Sequence, residues 1–297
     1  MSKEKQSNIE EYHLNKHQPG QDQFRIYDLN TYLGKNSENT TRPHIHSYYQ
    51  IIWFYSGVGS HYVDFVKHDV TDQMIFCIAR NQVHCFDHHP GYEGVLLHFN
   101  ETFLAQSDET DFFLKCNLFS SPYQQPGCKI DAATVQKLNT IIQQIKAELE
   151  ENNEFGRDEI IRAYLKSFLI LVQRTKQLSG GQQFASFAAD DKRMQLVRFF
   201  NLVEQHYKKG LAVNEYARLL HISARTLSDL TSQLINKTPS QMIQERIILE
   251  AQRLLTHSSL NINQIGYRMG FDDPSYFVKY FKKHTKMSPS DFRKAIA

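Results

Sequence analysis

The stretch RPHIHSYYQIIWFYSG (residues 42–57) carries two histidines one residue apart, His44 and His46, and Gln50 follows shortly after. Alternate side chains of an extended strand share a face, so an H-x-H pair sets two imidazoles side by side. His84, further along the chain, is a third candidate for the same face. Three imidazoles and one carboxylate would make a good transition-metal site. Here the carboxylate position is taken by Gln50, a neutral amide, which weakens such a site. The same imidazoles could instead hydrogen-bond a ligand in a cavity, or simply pack. The expectation is a ligand-lining role with no resident metal and no cofactor.

The run His44, His46, Gln50, Gly57 resembles the first cupin motif, with Gln in the position of Glu. The second cupin motif, P-x-G-x-x-H, would end on His84. Residues 79–84 read ARNQVH, so both its Pro and its Gly are missing. A different motif, LSGGQQ at 178–183, matches the signature loop of ATP-binding-cassette ATPases. Such a loop works only opposite a Walker A loop, G-x-x-x-x-G-K-[ST], whose amides cradle phosphates, and no segment of the chain fits that pattern. Its surroundings, QLSGGQQFASFAADDK, are rich in Gly, Ser, Gln and Ala and read as a linker without ATP chemistry.

These motifs need elements to hold them. The chain has 297 residues, room for about two domains. An apolar fraction of 41% and a charged fraction of 22% are those of a globular protein rather than a disordered chain. The net charge of +2 hides an asymmetry: residues 190–297 carry a net +7 and residues 1–189 a net −5. A basic C-terminal third points to a nucleic-acid partner. Cys77, Cys85, Cys116 and Cys128 form no C-x-x-C pair and read as reduced, buried thiols. The N-terminus lacks a signal-peptide apolar core, and the longest apolar runs, such as FLILV at 168–172, are too short to span a bilayer. The expectation is a cytoplasmic protein with no membrane partner.

Residues 1–22 read as an arm. From about 24 to 104, β-rich runs such as YYQIIWFYSGVGSHYVDFV (48–66), MIFCIA (74–79) and GVLLHFN (94–100) are separated by turn residues, which predicts a small sheet or barrel. Strand alternation, together with the positions the cupin resemblance implies, nominates His44, His46, Gln50, Ile52, His84 and His98 as pocket residues. Trp53 and Phe54 point to an aromatic or hydrophobic ligand only if alternation turns them inward. From 131 the period becomes helical. Val135, Leu138, Ile142, Ile145 and Leu149 form a heptad seam, fit either for packing on the barrel or for a dimer. A second helix over 157–176 carries Ile161, Tyr164, Leu165, Phe168 and Val172 along one side.

The C-terminal region is helical and contains a repeat. In VNEYARLLHISARTLSDLTSQLI (213–235), Ala217 is a small residue at a helix crossing, His221–Ser223 a tight turn and Ser223 an N-cap. Leu227, Leu230 and Leu234 form the buried stripe of the second helix; Arg225, Ser228, Asp229 and Ser232 form its polar stripe. In INQIGYRMGFDDPSYFVKYFKKHT (262–285), Gly266, Gly270 and Asp273 repeat those roles, with Pro274 in the first turn. Phe277 and Phe281 pack, and Ser275, Lys279, Lys282 and Lys283 face away. Lys282 and Lys283 suit phosphate contacts, Arg225 and Lys279 suit base edges, and Tyr276 and Tyr280 read as packing residues. The intervening PSQMIQERIILEAQRLL (239–255) is one connecting helix, long enough to hold two recognition helices in successive major grooves.

The stretch RIILEAQRLLTHSSLNINQIGYRMGFDDPSYFVKYFKKHTKMSPSDFRK resembles the C-terminal signature of the AraC/XylS family of bacterial transcription regulators, and the resemblance covers about 193–294. It implies two helix-turn-helix units with recognition helices at about 224–235 and 274–284. It further implies a cupin-like effector-binding barrel with flanking dimerisation helices before them. Thr231 departs from the bulky apolar residue many members place there, and Met287 from the usual Gly after the second unit.

The resulting expectation is an arm at 1–22, a cupin-like effector-binding and dimerisation domain at 23–176, a linker at 177–192 and a DNA-binding domain at 193–297. Function follows as a ligand-responsive, sequence-specific regulator, homodimeric and non-catalytic. Its expected partners are double-stranded DNA, a small-molecule effector and RNA polymerase. The rival is a cupin metalloenzyme with an appended DNA-binding module.

Overall fold

The computed structural model describes residues 11–14, 23–88, 91–104, 118–119, 125–151, 155–179 and 187–296. Cys116 and most of LSGGQQ lie outside them. Two compact units divide the chain, one spanning residues 11–184 and the other containing 185–297.

The N-terminal unit is built from strands β1 (Glu11–Tyr12), β2 (Phe24–Asp28), β3 (Ile45–His46), β4 (Tyr49–Ser56), β5 (Gly59–Val63), β6 (Val66–Val70), β7 (Met74–Ile78), β8 (His84–Phe86), β9 (Glu93–Phe99) and β10 (Gly127–Lys129). Its helices are α1 (Leu29–Lys35), α2 (Ser37–Thr40), α3 (Glu101–Leu104), α4 (Ala132–Glu150) and α5 (Arg157–Ser179). Five strands form one antiparallel sheet in the order β10-β7-β4-β9-β2, and three form a second, β6-β5-β8.

β4 reads YQIIWFYS, a nearly unbroken apolar run, as a strand covered on both faces should. Alternation sorts its side chains. Ile51 and Trp53, with Ile75, Val95, Leu97 and Phe99 of neighbouring strands, pack under Leu138, Ile142 and Ile145 of α4 and Ile161, Leu165, Phe168 and Val172 of α5. Ile52 and Phe54, with Phe76, Ile78 and Leu96, pack instead against Val63, Val70, Phe86 and Tyr92.

One open alternative is decided here and two expectations change. Of the two uses open to it, the heptad seam of α4 is spent inside the unit, against the sheet. Among the described residues the strands close no barrel: two sheets share the inner core face to face, and no hydrogen-bonded ladder joins them. Part of the expected arm is a strand, since β1 pairs in parallel with β3, where an edge offers unpaired backbone groups.

The C-terminal unit contains α6 (Phe187–His206), a short 3₁₀ turn (Tyr207–Lys209), α7 (Val213–Leu219), α8 (Ala224–Ile235), α9 (Pro239–His257), α10 (Ile262–Arg268), α11 (Pro274–Thr285) and α12 (Pro289–Ile296). The repeat is a repeat of backbone chemistry. In the first helix pair the N–H of Ile222 donates to the carbonyl of Ala217, and His221 takes a left-handed conformation, φ 56°. In the second, the N–H of Phe271 donates to the carbonyl of Gly266, and Gly270 is left-handed at φ 85°.

Ser223 and Asp273 cap the second helix of each pair, their side chains accepting from the N–H of Thr226 and of Ser275. Each pair then ends on a left-handed residue, Asn236 (φ 57°) or Lys286 (φ 66°), with Pro239 and Pro289 opening the next helices. The backbone departure therefore lies at Lys286, one residue before Met287. Thr231 is fully buried, and its hydroxyl donates to the carbonyl of Ser228, which satisfies a polar group where an apolar one was expected.

α9 is anchored to α6 and the 3₁₀ turn through Arg246, buried with its Nε 2.6 Å from Glu204, its Nη1 3.1 Å from Glu250 and its guanidinium 4.2 Å from the centre of the Tyr207 ring. Burial pushes the Glu250 carboxyl up, but Arg246, Arg253 and Lys208 outweigh that, and the net shift is downward.

Two glycine exchanges should act in opposite directions. A Cβ on Gly270 would meet the Lys208 carbonyl oxygen at 1.8 Å, on a backbone already in the left-handed region. Gly270→Ala should lower the unfolding free energy of the helical unit by more than the ~1–2 kcal/mol of left-handed strain alone. Lys286→Gly should raise it by about 1 kcal/mol. Urea denaturation of the full chain, followed by far-UV circular dichroism, would read both shifts; unchanged midpoints would contradict the backbone geometry described.

Candidate functional site

All six nominated pocket residues are buried: His44 (3% exposed), His46 (2%), Gln50 (1%), Ile52 (0%), His84 (1%) and His98 (1%). β4 and β9 carry Gln50 and His98 as direct cross-strand partners on the inner face. A backbone bridge pairs His44 with His84. Side-chain nitrogens of His44, His46 and His84 lie within 4.8 Å of one another. Their ring centres are 4.9 Å apart for His44–His46, 4.3 Å for His44–His84 and 4.8 Å for His46–His84. His98 stands at the margin, 6.0 Å from His46 and 4.7 Å from the Tyr48 ring. Ile52 belongs instead to the apolar inner core.

Two residues that sequence reasoning missed join the cluster. His61, on β5, puts Nε2 at 3.3 Å from Nδ1 of His84. Tyr12, on β1, brings its ring to 5.6 Å from His44 and 5.9 Å from His46. Neither carries a motif signal: His61 lies on β5, which pairs with the His84 strand only in the folded sheet, and Tyr12 sits in a polar segment far from the histidines in sequence. Trp53 faces the helices, its Nε1 donating to Gln73, so it cannot meet a ligand on the inner face. Phe54 does turn inward.

Burial sets the protonation of this corner. It drives His61 and His98 down to about 3, with nearby groups adding to the effect: His44 for both, His68 for His61 and Arg25 for His98. Burial likewise holds His46 and His84 well below the ordinary histidine value, their neighbouring imidazoles adding to it. The imidazoles are therefore neutral, able to donate through one nitrogen and accept or coordinate through the other.

A cavity of about 620 Å³ opens beside the cluster, lined by residues including Leu33, Thr40, Arg42, Phe86, Asp87 and Tyr92. None of the six nominated residues lines it. It adjoins them through Arg42, whose carbonyl accepts from His44 Nδ1 at 2.8 Å, and through Phe86, whose ring centre is 4.6 Å from that of His61.

The second nominated set lies on α8 and α11. Arg225, Asp229 and Ser232 are exposed, and Ser228 is half-buried. Ser275, Lys279, Lys282 and Lys283 are exposed. On the opposite faces Leu227, Leu230, Phe277 and Phe281 are buried, whereas Leu234 is only partly so. Tyr280 is half-buried, but Tyr276 is 59% exposed, so its expected packing role does not hold. Its place in the first turn, above Phe271, turns the ring outward.

The AraC-like ligand binding domain model matches residues 29–169, and a helix-turn-helix domain model matches residues 216–295. The chain belongs to the AraC/XylS family. This AraC/XylS protein is a ligand-responsive, DNA-binding transcription regulator. It is 22% identical over 255 residues to the HTH-type transcriptional activator RhaS of Escherichia coli O81 (strain ED1a), covering 84% of this chain and 86% of that protein. Among solved structures it is similar to an AraC-type regulator from Chromobacterium violaceum, 26% identical with a TM-score of 0.34, covering 36% of this chain and 96% of that one. It is also similar to ToxT from Vibrio cholerae O395, 14% identical with a TM-score of 0.42, covering 93% of this chain and 98% of that one. No helix among the regulator's described residues is long and apolar enough to cross a membrane.

Neutral buried imidazoles make the regulator's N-terminal unit acid-sensitive. His61 and His98 titrate lower in the folded state than unfolded, so the folded state binds fewer protons. Their contribution is complete above the unfolded value of 6.5 and is lost as pH falls from there towards about 3. Between about pH 7.5 and about pH 5, the unfolding free energy should drop by on the order of 1 kcal/mol per histidine per pH unit below the unfolded value. Urea midpoints measure this, and His61→Phe should flatten the slope. A pH-independent midpoint would contradict neutral burial.

Proposed function

We propose that the protein is a homodimeric regulator without catalytic activity that inserts α8 and α11 into successive major grooves of its operator. The observation that carries this reading is the repeated helix pair: the same left-handed turn, cap and buried stripe occur twice, each presenting an exposed polar face on a unit of net positive charge. α9, with 19 residues, is about 28 Å long, a spacer of the scale of one turn of B-DNA. Arg225 and Lys279 read base edges, while Lys282 and Lys283 hold phosphates, with Ser228, Asp229, Ser232 and Ser275 completing the two faces.

An effector occupies the inner face of the N-terminal unit, at the cavity beside Arg42 and Tyr92 and against the histidine corner. Its binding energy differs between two arrangements of the protein, and the joint at 177–192 carries that difference. Relatives named as transcriptional activators support contact with RNA polymerase and favour a regulator over a metalloenzyme. The dimer forms through the outer side of α5, where Ile160 (41% exposed), Ala163, Ser167 and Ile170 (40% exposed) recur at alternating steps of three and four residues.

Arg225→Ala and Lys279→Ala should each cost ~1–3 kcal/mol at the cognate operator and relax specificity there. Lys283→Ala should weaken all sequences alike and flatten the salt dependence. Operator selection from random DNA, followed by titration at several salt concentrations, tests both. Equal losses on specific and random DNA for every variant would sink the assignment.

The double variant Ile160→Glu, Ile170→Glu should convert a dimer to a folded monomer in sedimentation experiments. A wild-type protein that sediments as a monomer at high concentration would exclude the seam. An effector that binds without changing operator affinity or promoter output would exclude the regulatory mechanism.

A further inference from the structure

β6 is an edge of the three-stranded sheet: among the described residues it pairs with β5 and with no other strand. Val66, Lys67 and Asp69 are exposed along it, Val66 by 55%. An edge strand offers unpaired backbone groups to another chain, which proteins commonly block with a charge. On β6 the charges also select a partner.

The β5–β6 turn fixes which backbone groups face outward. Asp64 and Phe65 are both left-handed, φ 47° and 69°, as a two-residue type I′ hairpin requires. The closing pair of such a hairpin, here Val63–Val66, is hydrogen-bonded, and bonded and non-bonded pairs then alternate. Lys67 and Asp69 therefore stand opposite Tyr62 and Ser60 in non-bonded pairs, with their N–H and C=O groups pointing away from β5. The far side of β5 shows the same alternation: the N–H of Asp64 donates to the carbonyl of Val83, and the N–H of Asp87 to the carbonyl of Ser60.

A ladder forms only where outward groups meet outward groups. When β6 faces an antiparallel copy of itself, residues 67 and 69 must meet residues 67 and 69. A two-fold axis at Lys67 sets lysine against lysine, and one at Asp69 sets aspartate against aspartate. An axis at His68 sets Lys67 against Asp69, twice. Directly opposed side chains attract when their charges differ and repel when they match. The two charges that reject the neighbouring registers thus favour this one.

We infer that the β6 edge is a self-association surface on which two copies of the chain pair antiparallel about a two-fold axis at His68. Lys67 and Asp69 of one copy exchange backbone hydrogen bonds with Asp69 and Lys67 of the second, and their side chains meet on the outer face. Val66 comes opposite Val70 on the other face, where the two His68 rings also face each other across the axis. Burial holds His68 below the ordinary histidine value, so these rings are neutral at neutral pH. The three-stranded sheet covers the face of β4 opposite α4 and α5, so this edge and the α5 seam are separate surfaces. Five residues make a small contact, weaker than a helix seam, and it joins regulator dimers rather than forming them.

Full-length protein without DNA or effector is followed by sedimentation equilibrium from micromolar to near-millimolar concentration. The mass should double at the upper end, from dimer to tetramer where α5 has paired the chains and from monomer to dimer where it has not. The starting species judges the α5 seam; the doubling judges the edge. Lys67→Glu alone and Asp69→Lys alone should each weaken the doubling by about 10-fold or more. Mixed in equal amounts, these two variants should associate as the wild type does, because every opposed pair then carries unlike charges. Both positions are exposed, so the fold should be unaffected.

A reading independent of charge comes from His68→Cys. Non-bonded cross-strand partners lie about 4.5 Å apart between Cα atoms, within disulfide reach, so mild oxidation should link two copies of this variant and leave the wild type unlinked. No doubling of the wild-type mass, doubling that survives Lys67→Glu, a mixture that fails to associate, or His68→Cys chains that stay unlinked would each overturn the edge.

Discussion

The N-terminal unit depends on one constraint: β4 is apolar on both faces, and both must be removed from water. At roughly 25 cal/mol per Å² of apolar surface, neither face of such a strand could stay exposed without undoing the gain from the other. One face takes α4 and α5, which explains why the α4 seam points inward. The other takes the three-stranded sheet. Only the end of the inner face, where Gln50 and His98 pair across strands, is polar. That position gathers the histidines of β3, β5 and β8 and confines ligand chemistry to one corner.

The corner reverses the logic of the core around it. Elsewhere buried side chains are satisfied by dispersion contacts, as with Trp53 and Phe168 on the helical side. Here burial keeps imidazoles neutral while several of their nitrogens find no partner among the described residues. A protein retains such a costly feature where it serves recognition. In the C-terminal unit the determining element is backbone rather than side chain. Two left-handed residues, His221 and Gly270, turn each helix pair, and Arg246 fixes α9 against α6 and the turn at Tyr207 through paired, buried charge.

Legibility in the sequence followed the range of the interactions. Ser223, Asp273, Ala217 and Gly266 were readable because caps and helix crossings depend on neighbours within a few residues. The alternation of β4 and β9 likewise put Gln50, Ile52 and His98 on one face. His61 and Tyr12 were not readable, since their nearness to His84 and His44 arises from pairing between strands distant in the chain. Tyr276 looked like a packing residue by type, but in the first turn of α11 it is exposed beside Phe271. The left-handed position after α11 was misplaced by one residue, at Met287 instead of Lys286, because side-chain type does not report φ.

What the sequence determined by itself was the main β-rich and helical segments, most of their buried faces and the family, each written in local periodicity, caps and a repeated motif. Tertiary structure alone decided that the α4 seam closes on a sheet, that two sheets share a core without closing a barrel, and which histidines meet. Those outcomes turn on competition between alternative partners for the same apolar face. A helical stripe carries the same pattern whether a sheet or a second chain covers it, and only the assembled fold selects between them.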